Sequence, residues 1–162
     1  VVMADEERDD MIKTHCMGAG LLATSILGFP AQAAEQAGMI KVSKGTVSIE
    51  REGQRMAAGV GTPVMVADRL RTGADGSVGL TLRDNTLLSA GPNSLLVVDK
   101  FVYDNATQDG RMALSIRKGT LSVASGKIAK RTPESVDFHT PTSILGVRGT
   151  EFVIEVEGDG DE

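Results

Sequence analysis

The sequence predicts an all-β fold, a single domain of short stacked strands in a solenoid-like or sandwich-like arrangement. From Met39 onward, apolar residues alternate with small or polar ones, for example over 78–82 and 112–116. This period of two is typical of strands with one buried face. Pairs rich in glycine, asparagine and aspartate recur about every 8–12 residues, which favours a sandwich, barrel or stack. No segment after Ala34 has a helical stripe, and Pro133 starts at most a single turn.

An export signal is predicted ahead of this domain. Residues 17–29 are apolar and uncharged, Lys13 and His15 precede them, and the triplet A-Q-A follows at 31–33. A basic start, a short apolar run and an A-x-A ending predict a signal peptide over 11–33 that is cleaved after Ala33. The run is shorter than the roughly 20 residues of a membrane-spanning helix. A buried helix or an uncleaved anchor is the alternative.

The two ends of the chain are expected to lie outside the domain. Residues 1–10 are acidic where a signal peptide is basic, so they are either a gene-model artefact before a start at Met11 or a disordered leader. The closing segment 157–162 consists of acidic residues and glycine and is expected to be a solvated, disordered tail.

The composition argues against several classes of site. Cleavage would remove Cys16 and His15, which leaves no thiol and only His139, so no disulfide, metal site or cofactor is expected. Aromatic residues make up 3% of the chain and tryptophan is absent, which argues against platforms that stack sugars or single-stranded nucleic acid. Nucleic-acid binding is also not expected because lysine and arginine are not clustered into a basic face.

A short phrase recurs along the chain. Lys44-Gly45-Thr46 is repeated as Lys118-Gly119-Thr120, and residues 148–150 (R-G-T) echo it. Each copy places a basic residue and a glycine bend before a β-branched residue that begins a strand. Repeated units of this kind suit a solenoid-like stack, while convergent hairpin chemistry is the alternative.

Several longer runs together resemble the FecR domain family. They are V-G-T-P at 60–63, D-R-L-R-T-G-A-D-G-S at 68–77, L-T-L-R-D-N-T at 80–86, G-P-N-S at 91–94, K-G-T at 118–120, S-G-K at 125–127 and T-P-T-S-I-L-G-V-R-G-T-E-F at 140–152. The resemblance covers 60–152, and we place the FecR-like domain at 39–156. It implies an all-β, solenoid-like domain outside the cytoplasmic membrane.

The founding members of that family transmit a signal from an outer-membrane transporter, and they carry a cytoplasmic anti-sigma segment and a membrane span. This chain departs from them, because its leader is too short for an anti-sigma segment and its apolar run resembles a cleavable signal. Direct control of a sigma factor is therefore not expected. Asn85 also stands where the family usually has glycine, and asparagine tolerates the same left-handed conformation.

The closing motif supplies most of the candidate site residues. The guanidinium of Arg148 either receives a carboxylate or backbone carbonyls of a partner, or caps turn carbonyls and locks the last strand; we favour the second. Gly146 and Gly149 are expected to permit bends that a Cβ would block. Pro141 and Thr150 complete the motif.

Three further residues are candidates for a structural or partner-contacting role. Arg69 and Arg71 flank Leu70 on one strand face and either form ion pairs with Asp68 and Asp75 or belong to a docking patch. Asp84 is expected to shape the D-N-T turn.

A hydrolase built on the remaining histidine is a weaker hypothesis. His139 shares a strand face with Asp137, and Ser135 and Ser143 lie nearby. No nucleophile elbow of the G-x-S-x-G type accompanies them, so no catalytic residue is predicted.

The sequence therefore predicts a non-enzymatic, exported, periplasmic or extracellular module for protein recognition or signal sensing, which offers a strand edge to an envelope protein. The alternative is a structural or polymer-binding protein of the cell envelope. Membrane association is expected only through a partner or an uncleaved signal, and the oligomeric state stays open.

Overall fold

The computed structural model describes residues 35–148 and 150–158. The strands are β1 (Gln36–Lys44), β2 (Val47–Arg51), β3 (Gln54–Ala57), β4 (Pro63–Met65), β5 (Arg69–Thr72), β6 (Ser77–Leu82), β7 (Leu87–Ala90), β8 (Leu95–Tyr103), β9 (Gly110–Ala124), β10 (Val136–His139), β11 (Ile144–Gly146) and β12 (Glu151–Val156). The all-β prediction is confirmed, while the solenoid-like or sandwich-like stack stays a prediction. The expected signal peptide and most of the acidic tail lie outside the described residues. No described helix is long and apolar enough to cross a membrane.

All the strands belong to one hydrogen-bonded sheet that falls into two halves joined by β9. Half-sheet I contains β4, β1, β6, β7, the second part of β9 and β12. Half-sheet II contains β3, β2, β5, β8, the first part of β9, β10 and β11. Only the β9–β10 pair is parallel among these pairings.

The two halves meet along one line, which we call the crease. We call a strand of one half, together with the strand that continues it in the other half, a track. Four tracks change direction at the crease: β1 to β2 at 45–46, β5 to β6 at 73–76, β7 to β8 at 91–94, and β9 at Gly119. Adjacent tracks are hydrogen-bonded at the crease, for example from Gly73 N–H to the Thr46 carbonyl (2.8 Å). The repeated K-G-T phrase thus occupies equivalent places, because both copies lie on this line.

The local chemistry explains why glycine recurs at the crease. Gly45 and Gly119 have φ of +63° and +91°, a region that strongly favours glycine. A Cβ on Gly119 would lie 2.6 Å from Ser94 Cα. The Ser94 hydroxyl also accepts a 3.1 Å hydrogen bond from Thr120 N–H, so this close approach joins the β7–β8 track to β9.

One hydrophobic core fills the space inside the bend. It takes the inward-facing residues of both halves, including Leu80 and Leu88 from half-sheet I and Leu96 and Leu114 from half-sheet II. Phe138 of β10 meets Phe152 of β12 edge-to-face, with ring centroids 5.1 Å apart. The buried residues that alternate with exposed ones along the strands of both halves therefore face one shared core.

A short helical segment follows β9. Helix α1 (Lys127–Arg131) corrects the expectation of no helix, since five residues are too few to produce a sequence stripe. The predicted single turn at Pro133 is confirmed as a 3₁₀ helix over Pro133–Ser135. Both belong to the connection that leads from β9 to β10.

Candidate protein-binding edge

The closing motif begins with the loop that joins β10 to β11. Thr140 N–H donates to the Ser143 carbonyl at 2.8 Å, and Ser143 N–H donates to Thr140 Oγ1 at 3.0 Å. Pro141 is exposed inside this loop, where its fixed φ limits the conformations of the reversal. The loop therefore holds β11 against β10 in a defined register.

Strand β11 forms an edge of half-sheet II. In the described part of the chain it pairs only with β10, through Asp137↔Gly146 to His139↔Ile144. Ile144 is 71% exposed and Leu145 is 37% exposed. Leu145 lies opposite the buried Phe138 and so sits at the open margin of the core. An exposed apolar edge of this kind is a template for pairing with another strand.

Arg148 lies just beyond β11. Its side chain is exposed, and none of residues 35–148 or 150–158 makes a hydrogen bond or an ion pair with it. The favoured sequence interpretation, a cap on turn carbonyls, is not found among these residues. The carbonyl of Thr150 instead accepts a 2.7 Å hydrogen bond from Ser125 N–H, which fixes the start of β12.

The glycines of the motif have different outcomes. A Cβ on Gly146 would meet no atom of the described residues within 4 Å, and its φ is not in the left-handed region. The expectation that a side chain is sterically blocked there is therefore wrong, because Gly146 lies on an open strand edge. Gly149 lies outside the described residues.

The two arginines of β5 point outward from half-sheet II, on either side of the buried Leu70. Arg69 is exposed and lies opposite Glu50 of β2, and Arg71 lies opposite Ser48. This alternation places both residues on one accessible face, as the sequence predicts.

The aspartates expected to pair with these arginines have other partners. Asp68 is fully buried and binds Arg51 through two hydrogen bonds of 2.7 Å, and it accepts a third from Met65 N–H. The hydrogen bond to Asp68 raises the pKa of Arg51. Asp75 accepts from Thr46 N–H, and its pKa is lowered mainly by hydrogen bonding with Thr46. The expected Asp68 pairing is wrong because the carboxylate turns into the core.

Asp84 has a structural role. Its buried carboxylate accepts hydrogen bonds from Thr86 N–H (3.0 Å), Thr86 Oγ1 (2.8 Å) and Ile128 N–H (3.3 Å). These bonds join the D-N-T loop to the start of α1. Asn85 has φ of +67°, which confirms the expected left-handed conformation. Asp84 is 0% exposed, so a partner could not reach it.

His139 lies on the outer face of half-sheet II beside Ser115 of β9. The Ser115 hydroxyl donates to the Asp99 carboxylate, and no described residue hydrogen-bonds to the imidazole of His139. A serine nucleophile needs a base within hydrogen-bonding reach, which this arrangement lacks. No group of three or more potential metal-ligating His, Cys, Asp or Glu side chains occurs within the described ranges.

Sequence reasoning predicted a strand edge and named residues around β11, but it did not identify β11 as that edge. Ile144 and Leu145 are the exposed apolar pair, and only their position between a proline loop and Gly146 distinguished them from an ordinary buried strand. Of the predicted site residues, Pro141, Gly146, Arg148 and Thr150 lie on the closing segment together. Arg69, Arg71 and Asp84 lie on other elements.

Comparison with known proteins gives one family match. A family model described as FecR protein matches residues 68–162. Comparisons with curated proteins and with solved structures gave no match. The matched range begins just before β5 and includes the second to fourth tracks of the crease, the Asp84 loop and the β11 edge.

Proposed function

The chain belongs to the FecR family, and from this membership we propose a non-catalytic, exported module that recognises a protein partner, or senses a signal through it, in the bacterial envelope. Export to the periplasm or the exterior is supported by the signal-like segment over 11–33. The partner is an envelope protein that contributes an extended segment.

The observation that carries this proposal is the β11 edge. Its outer side has no strand partner in the described part of the chain, and Ile144 exposes 71% of its surface there. A partner strand added at this edge would extend half-sheet II through main-chain hydrogen bonds. It would also cover the apolar margin at Leu145. Arg148, which is exposed beyond the end of β11, would offer a charged group to a carboxylate or carbonyls of the partner.

We include a sandwich-like arrangement in the proposal. The Phe138–Phe152 contact supports it, because this contact brings β10 of one half against β12 of the other. In a sandwich, β11 and β12 would be neighbouring edges on one side of the core, so a partner strand would close an otherwise open margin.

In-cell crosslinking of the tagged protein, followed by purification and mass spectrometry, tests this function. Ile144→Lys should block strand addition, since an edge lysine opposes pairing. Arg148→Ala should remove the charged contact. We expect each to lower partner recovery roughly tenfold or more, the effect of losing a well-placed interface residue.

Matched controls lie elsewhere on the surface. Val60→Lys changes another exposed aliphatic residue (68%) and Arg117→Ala another exposed arginine, so both should leave recovery unchanged while circular dichroism confirms folding. Equal losses in all four variants, or no loss in the first two, would contradict the edge proposal. Recovery with cell-wall fragments alone would favour the structural or polymer-binding alternative. A mature N-terminus at Ala34 in the same spectra would support export.

A further inference from the structure

The outer faces of the two half-sheets differ in charge. Outward positions on half-sheet II carry ionisable residues, among them Glu50, Arg69, Arg111, Arg117 and Asp137. The three central strands of half-sheet I carry none at theirs, which are Ser77, Gly79, Thr81, Leu87, Ser89, Thr120, Ser122 and Ala124. A sheet face turned to water normally carries polar and charged side chains, and loss of charge at the centre of a surface is typical of an interface.

On this charge-free face, exposed apolar side chains lie beside a strip of small residues (Gly79, Ser89 and Ser122), which we call the floor. One row runs straight across five strands, from Val42 through Gly79, Ser89 and Ser122 to Val153. The valines at its ends are 46% and 65% exposed. Leu87, on the middle strand, is 52% exposed in the neighbouring row. An open groove of about 280 Å³ lies over the floor, and its lining includes Val42, Leu87 and Lys41.

Opposite charges flank the two sides of the face. Lys41 and Lys44 are exposed on β1, while Glu151 and Glu155 are exposed on β12. Lys44 and Glu155 lie at opposite ends of one row, because Lys44 pairs with Ser77 and Glu155 with Thr120. A two-fold axis parallel to the strands exchanges left and right, so it would place each lysine side over the glutamate side of another copy.

We propose that this face binds a second copy of the chain, in a face-to-face dimer with its two-fold axis along β7. Leu87 meets Leu87 of the second copy at the axis, Val42 meets Val153, and Lys44 meets Glu155. Such an interface is isologous, with each contact made twice. These apolar side chains of the two copies pack against each other across the interface, as side chains do between packed sheets. This surface is separate from the β11 edge.

The size of the face sets the expected affinity. Five strands about 4.8 Å apart and about five residues long cover roughly 400 Å² per copy in projection. A total of roughly 800 Å² is in the range of weak, transient complexes. We therefore expect a dissociation constant on the order of 100 µM for the full chain.

Sedimentation velocity of the full chain, from about 10 µM to about 1 mM, brackets that constant. Leu87→Arg should raise it more than roughly tenfold, because it places two like charges at the axis. Val102→Arg is the matched control, since Val102 is 47% exposed on the outer face of half-sheet II. It should leave the constant unchanged.

A charge exchange tests the direction of the two-fold axis. Lys44→Glu and Glu155→Lys should each weaken self-association, because every homodimer then has two like-charge contacts. An equimolar mixture of the two variants should associate like the wild type, since each contact in the heterodimer again joins opposite charges. A monomer at every concentration, a dimer indifferent to Leu87→Arg, or no recovery in the mixture would each overturn the proposal.

Discussion

Replacing Gly119 with alanine should strongly destabilise the protein, because this residue lies where β9 crosses the crease. A non-glycine residue at φ of +91° costs about 1–2 kcal/mol in a left-handed conformation. The added Cβ would also lie 2.6 Å from Ser94 Cα, and forcing an extra methyl group into a packed site costs about 1–3 kcal/mol. The Ser94–Thr120 hydrogen bond would be strained as well. The sum, about 2–5 kcal/mol, is a large part of a typical unfolding free energy of roughly 5–15 kcal/mol.

Two other glycines separate these contributions. Gly53 has φ of +78° and nothing within 4 Å of an added Cβ, so Gly53→Ala should cost about 1–2 kcal/mol from conformation alone. Gly146 has no positive φ and no steric neighbour among the described residues, so Gly146→Ala should stay within about 0.5 kcal/mol.

Urea unfolding followed by far-ultraviolet circular dichroism measures all three changes on one scale. The expected order of destabilisation is Gly119→Ala, then Gly53→Ala, then Gly146→Ala. If Gly119→Ala cost no more than Gly53→Ala, the close approach at the crease would not be a constraint, and the explanation given for the repeated K-G-T phrase would fail.

Two predictions concern the aspartates. Asp68→Ala should lower the unfolding free energy by about 2–4 kcal/mol, since it removes the carboxylate that accepts hydrogen bonds from Arg51 and from Met65 N–H. Asp109→Ala, at an exposed ion pair, should lower it by no more than about 0.5 kcal/mol. Similar urea midpoints for the two variants would contradict this. Asp75 has a lowered pKa in the folded state, so its stabilising effect is present above the unfolded value near 3.8 and is lost as the pH falls through the folded pKa. The urea midpoint of Asp75→Asn should therefore lie below that of the wild type at neutral pH and converge with it in acid, and a gap that persists in acid would exclude ionisation as the cause.

Local patterns predicted most of the strands but not how they join. The alternation over 78–82 corresponds to β6, found at Ser77–Leu82. The runs 112–116 and 121–123 also read as strands, yet they are two parts of the single strand β9, bent at Gly119. A glycine flanked by polar residues is compatible with a turn that ends a strand and with a bend within a strand. Only the pairing with neighbouring strands shows which of the two forms.

Site residues were predictable where their chemistry is local. The left-handed conformation of Asn85 follows from its own side chain. The pairing of Asp68 with Arg51 joins residues 17 positions apart on different elements, so adjacency to Arg69 was misleading. The exposure of Ile144 depends on what lies beside β11 in three dimensions, and apart from its place between a proline loop and Gly146 the sequence gives no sign of it.

The parallel β9–β10 pair has a consequence for the order of folding. Parallel neighbours normally need a crossover of about a dozen residues or more. Here residues 116–135 join the paired part of β9, Met112–Ser115, to β10, and the second part of β9, beyond the bend at Gly119, forms much of that crossover. Strands β10 to β12 should then acquire protection late in refolding and lose it first on opening, since they depend on that bend. Pulsed hydrogen exchange should show amides of β12 protected after those of β6, and simultaneous protection would contradict this order.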